Sequence, residues 1–225
     1  MRHPPNHRLD TRAGFTLVEA AIATALLILI MSSAILAAKH GQGAFRATQT
    51  ATDVETRVRR ALDRAALELL SVGEEELLPN PTGQFGTSTI LFRQARSWGG
   101  NAGDGVNGLN VLWGDQNRLA FEYDTGESDD DVDEDGDGLV DEGRLVLTRD
   151  IGGNDGRTIL CTGVREMLEG EDANGADDNG NGIVDEAGFN IHRVGNVLFL
   201  RLSLEVPCET GTIVRTLETS VRLRN

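Results

Sequence analysis

Two acidic stretches of this chain carry the residues best suited to chemistry, and they are copies of one another. Asp133-Glu134-Asp135-Gly136-Asp137-Gly138-Leu139-Val140-Asp141-Glu142 aligns with Asp177-Asp178-Asn179-Gly180-Asn181-Gly182-Ile183-Val184-Asp185-Glu186 at an offset of 44, from 133 to 177. A calcium ion takes about six to eight oxygens, and a loop supplies them by placing Asp or Asn at alternate positions with glycine at the sharp turn. Both copies fit that rule at the first, third, fifth, sixth and ninth positions. The ligands are then Asp133, Asp135, Asp137 and Asp141 in one copy, and Asp177, Asn179, Asn181 and Asp185 in the other. Leu139 and Ile183 stand seventh, where such a loop offers a backbone carbonyl. Arg144 and Gly188 occupy the twelfth position, so a bidentate carboxylate must come from Glu142, from Glu186 or from elsewhere. A second register, starting at Asp131 and ending with Glu142 twelfth, also fits the first copy. In the second copy that register would begin at Gly175, which has no side-chain oxygen.

The alternative is a pair of solvated acidic loops, but that does not account for glycines and an apolar pair repeated at fixed places before Asp-Glu. The loops resemble the calcium loops of thrombospondin type 3 and dockerin-like repeats and the EF-hand, without dockerin's helices. Calcium is therefore the expected cofactor. The first copy, with carboxylates throughout, is expected to bind more tightly than the second.

The acidity is local. Glu127 to Glu142 holds 10 acids and Glu166 to Glu186 holds 8, with no Lys or Arg in either. Taking those 18 charges out of the formal −15 leaves the rest of the chain at +3. Such loops favour a cation and exclude nucleic acid as their partner. Enzymatic chemistry has little support. Only His192 of four histidines falls in the C-terminal part, and no nucleophile elbow, zinc spacing or phosphate loop appears. No enzyme activity is expected.

The elements that must position these loops begin with a long helix. From Phe15 to Ala38 the chain is apolar with a single charge, Glu19, and contains neither Pro nor Gly. About 24 residues at about 1.5 Å each exceed the roughly 30 Å core of a bilayer. Arg2, Arg8 and Arg12 precede the run, so the positive-inside bias places residues 1–14 in the cytoplasm and the remainder outside. A carboxylate within a span is costly and needs a partner. Cleavage between Gly14 and Phe15 would create one, the new α-amine.

Gly14 followed by Phe15-Thr16-Leu17-Val18-Glu19 and a long apolar helix resembles the N-terminus of type IV pilins and type II secretion pseudopilins. The resemblance implies a prepilin whose peptidase cuts after Gly14 and methylates Phe15. It also implies that Glu19 aligns subunits during assembly. Expected partners are other pilins or pseudopilins, the prepilin peptidase and inner-membrane lipid. Leu119-Ala120-Phe121-Glu122-Tyr123 with Arg144-Leu145-Val146-Leu147-Thr148-Arg149, and the terminal Val221-Arg222-Leu223-Arg224-Asn225, resemble the J-type minor pseudopilin and the W-type minor pilin. A membrane-anchored calcium-binding or adhesion module outside any filament is the alternative.

Beyond a polar break at Lys39–Gly43, Val54, Val58, Ala61, Leu62, Ala65, Leu69 and Val72 recur at three- and four-residue spacing. That predicts an amphipathic continuation of the helix over residues 39–78. After the turn cluster Pro79–Gly83 the period becomes two. Strands are expected at 89–93, 109–113, 118–123, 144–148, 158–161, 196–206 and 212–224, with a glycine-rich loop over 96–108. The fold class is then α+β: a long N-terminal helix packed on an antiparallel sheet over 79–225, with acidic loops at 127–143 and 171–188. The pilin resemblance implies the same architecture. Cys161 and Cys208 both lie in the part placed outside the cytoplasm, where a disulfide between them is favoured over two thiols.

Overall fold

A computed structural model describes residues 15–99, 110–208 and 211–223; the leader with Gly14, and Arg224 and Asn225 of the terminal pattern, lie outside them. The chain divides into two compact units, Met1–Arg46 and Ala47–Asn225. Helix α1, Leu17–Leu69, contributes to both.

In the first unit every apolar side chain from Leu17 to Leu36 is exposed. The helix is apolar enough to cross a membrane, with a mean hydropathy of 2.4 over its most apolar window. Thr16 starts it: the Glu19 amide donates to Thr16 Oγ1 at 3.2 Å. Thr16-Leu17-Val18-Glu19 thus has the spacing of a capping box, with Glu19 in the first turn, where the helix dipole favours an acid.

The second unit is α+β, as expected. Val54, Val58, Ala61, Leu62, Ala65 and Leu69 of α1 are buried in one core cluster with the sheet. Each larger member of that stripe contributes about 1.5–3 kcal/mol by burial. Glu68 is the polar anchor of this packing. It pairs with Arg64 at 3.1 Å and Arg149 at 2.5 Å, and its carboxylate also accepts from Gln94.

Among the described residues the sheet is antiparallel, curled and eight-stranded: β1 (Val72–Leu78), β2 (Thr89–Gly99), β3 (Asn110–Tyr123), β4 (Gly143–Arg149), β5 (Gly156–Val164), β6 (Phe189–Val194), β7 (Val197–Cys208) and β8 (Gly211–Arg222). β1 to β5 follow in order, β5 meets β7, and β7 also pairs with β6 and β8. An isolated bridge between Thr87 and Ile191 brings the start of β2 against β6 and curls the sheet. The alternation expected on β7 is present, with Leu198, Leu200, Leu202 and Leu204 all fully buried.

Four expectations need correction. The helix ends at Leu69, and Val72–Leu78 is a strand rather than its continuation to residue 78. Val72 and Leu77 enter the core from β1, and a Cβ on Gly73 would meet the Trp113 ring at 2.5 Å. The strands expected at 109–113 and 118–123 are one strand, β3, and β6 was not foreseen. Part of the 96–108 loop belongs to β2, which extends to Gly99; residues 100–109 lie outside the described set. No disulfide joins Cys161 to Cys208. Cys161 faces the core under α1, where burial pushes its thiol up to about 12, whereas Cys208 lies at the end of the β7–β8 ladder opposite Gly211.

Candidate metal centre

The first acidic loop is the connection between β3 and β4, closed by the Tyr123–Gly143 pair and by the Asp124 amide donating to the Glu142 carbonyl at 3.1 Å. The second connects β5 to β6 and is closed by the equivalent bond, Leu168 N–H to the Glu186 carbonyl at 2.8 Å. Short hairpin closure pins the loop ends, so the acids between them are held in a defined backbone despite their mutual repulsion.

That backbone is the same in both copies. Asp133 accepts from the amides of Gly136 (2.6 Å) and Gly138 (3.1 Å), and Asp177 from those of Gly180 and Gly182, each at 2.7 Å. The next alternate side chains cap the amide two residues on: Asp135 and Asp137 in the first loop, Asn179 and Asn181 in the second. Gly136 and Gly180 share a φ of 77°. Leu139 and Ile183 bury their side chains beneath the loops.

Two of the residues expected as ligands also hold the backbone, and Asp141 besides offers an oxygen to two acidic groups, one with Glu127 and Glu134 and one with Asp129 and Glu166. Asp141 accepts from the amides of Asp130 and Asp131, and Asp185 from those of Asn174 and Gly175. These aspartates hold the return of the chain, with φ of 51° and 49°. Asp131 donates to Asp141 and does not join the Asp133, Asp135, Asp137 group.

Those three carboxylates do come together, each offering an oxygen within 4.8 Å of the others. Asp135 also belongs to a second such group with Glu142 and Glu127. Oxygens bound to one calcium at about 2.3–2.6 Å can lie up to about 5 Å apart, so these groups can hold a metal ion. The sequence reading missed Glu127 and its copy Glu171. Glu127 Oε1 accepts from the Asp135 amide at 3.0 Å, and Glu171 Oε1 from the Asn179 amide at 3.0 Å. The signal was present: Gly126-Glu127 and Gly170-Glu171 share the 44-residue offset, 126 to 170.

The burial is what gives these acids their chemistry. Glu127 is 8% exposed and Glu142 2%, and the Oε2 atom of each is buried without a hydrogen-bond partner. Burial, then the charges of Asp137, Glu127 and Asp135, push the Glu142 carboxyl up to about 7. Burial likewise raises Glu127. Orphaned, buried carboxylate oxygens facing one another are costly without a cation, and the donor set of hard oxygens fits one.

Comparison of the chain with family models, curated proteins and solved structures finds no match.

The remaining chemistry-bearing residues are dispersed. His192 is engaged with the Gly83 carbonyl at 2.9 Å. Glu19 is exposed in the first turn of α1, in the other unit.

Proposed function

We propose that the chain is a filament subunit of the pilin type, a minor pseudopilin or minor pilin, without catalytic activity. On this reading it is made as a prepilin with residues 1–14 in the cytoplasm and held in the inner membrane by Phe15–Ala38. Its α+β domain lies outside the cytoplasm and is stabilised by calcium in the acidic loops. One observation carries the reading: a single helix is wholly exposed and apolar in its first half and buried in a sheet-covered stripe in its second. An exposed apolar surface of that length needs a cover, and lipid before assembly and neighbouring subunits after it would each supply one. Glu19, the only charge in the run, supports the same assignment through its distance of four residues from a Phe15 amine.

Mass spectrometry of the chain from a host with a prepilin peptidase tests it. The expected product begins with N-methylated Phe15. An intact Met1 leader, or cleavage near Ala38, overturns the assignment. Glu19→Ala should be processed, stay in the membrane and enter filaments poorly. Normal incorporation would leave Glu19 with only its capping place and favour a membrane-anchored calcium-binding module outside any filament.

A further inference from the structure

We propose that the chain binds one calcium ion tightly, in the first loop, with Glu127 and Glu142 as buried ligands. The second loop is the same backbone completed by the protein's own donors. This rests on the calcium reading above and narrows it to one site.

The two loops superimpose in sequence and in backbone hydrogen bonding, so their difference lies in the few side chains at the centre. In the first loop Glu127, Asp135 and Glu142 converge, with Asp137 beside them, and two glutamate oxygens are buried without partners. Asp135 and Asp137 each spend one oxygen on a backbone amide and offer the other. In the second loop the counterpart of Glu142 is Glu186, 1% exposed and surrounded by donors. Arg201 Nη1 donates to Glu186 Oε1 at 2.6 Å, and Asn190 donates to the same oxygen at 3.2 Å. Glu186 Oε2 accepts from the side-chain amides of Asn179, at 3.3 Å, and Asn181. Where the first loop presents the second oxygen of an aspartate, the second loop presents an NH2 group. A guanidinium and three side-chain amides thus take the place that a cation would fill. Glu171 Oε2 and Asn190 Oδ1 are the buried side-chain oxygens left there without a partner, against the about six oxygens a hard cation needs.

Strand β7 sets this asymmetry. Arg201 and Glu205 lie four residues apart on it. Arg201 reaches the second loop, whereas Glu205 pairs with Arg165 at 3.3 Å. The strand thus supplies the second loop with a base and the first with none.

Calcium chloride titrated into the full chain in detergent micelles, followed by calorimetry, tests this. The expected stoichiometry is one. Glu127→Gln and Glu142→Gln should each weaken binding roughly ten- to a hundredfold, the scale for altered partners at a metal site. The same substitution in the other copy, Glu171→Gln, should leave the titration unchanged. Asn179→Asp with Asn181→Asp and Arg201→Met should raise the stoichiometry to two. Two equivalent sites in the parent chain, or equal losses from Glu127→Gln and Glu171→Gln, overturn the one-site inference and leave calcium binding standing. An unchanged stoichiometry in the triple variant overturns the role given to the amides and Arg201. Absence of any heat at millimolar calcium overturns the calcium reading itself.

Discussion

The loops at 124–142 and 168–186 share a backbone and differ in what balances their charge. Both close with the same carbonyl bond, both hold the return of the chain with an aspartate at positive φ, and both bury a glutamate at each end. The first carries Asp135 and Asp137 where the second carries Asn179 and Asn181, and Arg201 reaches only the second. On the one-site proposal, a loop fold of this kind is retained while side-chain donors stand where an ion would, and a few positions that the backbone leaves free decide between them.

The largest expected effect comes from removing the second loop's internal cation. Arg201→Met would leave Glu186 buried and unpaired by charge. Breaking a buried pair from one side costs about 3–5 kcal/mol, and the lower end applies because the Arg201 side chain is 21% exposed. Denaturant unfolding of the full chain in micelles, followed by tryptophan fluorescence, should show that loss without calcium and recover part of it with calcium. A change below about 0.5 kcal/mol, the level of an ordinary surface substitution, would mean Arg201 is not the counter-ion.

The converse change makes the first loop like the second. Asp135→Asn with Asp137→Asn should remove most of the calcium stabilisation, which by mass action is about 2.7 kcal/mol at a hundredfold excess over the dissociation constant. Thermal unfolding with EDTA and with calcium reads the difference. A variant that keeps the full shift would show that Glu127 and Glu142 suffice.

Much of this was legible before the fold. The alternation in β7 and the stripe on α1 were plain because burial imposes periods of two and about 3.6 on the residues themselves. The ten-residue repeat was plain because its Asp or Asn and Gly positions recur at an offset of 44, from 133 to 177. Its extension back to Glu127 and Glu171 was not, since those acids act through the Asp135 and Asn179 amides, and only Gly-Glu at the common offset marked them. β1 was missed because Glu74, Glu75 and Glu76 leave the short stretch between Gly73 and Pro79 without the alternation of a half-buried strand. Val72 and Leu77 are the only members of that strand the core buries beside Gly73. Arg201 could not be assigned to a loop at all: its role depends on how β7 is placed against a connection between two other strands.

A smaller effect separates the loops by pH. The folded-state value of Glu142, about 7, lies above its ordinary 4.5, so the folded chain binds that proton more tightly than the unfolded chain. The contribution is fully present below about 4.5 and is lost as pH rises through 7, with a slope of at most about 1.4 kcal/mol per pH unit. Without calcium, the parent chain should therefore lose stability relative to Glu142→Gln between pH 5 and 7. Glu186 has no such orphaned oxygen, since Arg201, Asn190, Asn179 and Asn181 donate to it. Parallel pH profiles for the parent chain and Glu142→Gln would remove Glu142 from the ledger of strained acids.

The smallest effect should be the same in both loops. Gly136 and Gly180 each have φ of 77°, and a Cβ on either would meet nothing within 4 Å. Replacement by alanine then costs only the left-handed backbone strain, about 1 kcal/mol, with no clash to distinguish the copies. Measured in EDTA, Gly136→Ala and Gly180→Ala should lower the unfolding free energy equally. Added calcium should raise the unfolding free energy of Gly180→Ala by the full parent amount, because an ion bound in the first loop stabilises the whole folded chain, and that of Gly136→Ala by no more than that. Unequal costs in EDTA would mean the two backbones are not energetic copies, and that the difference between the loops extends beyond the charges at their centres.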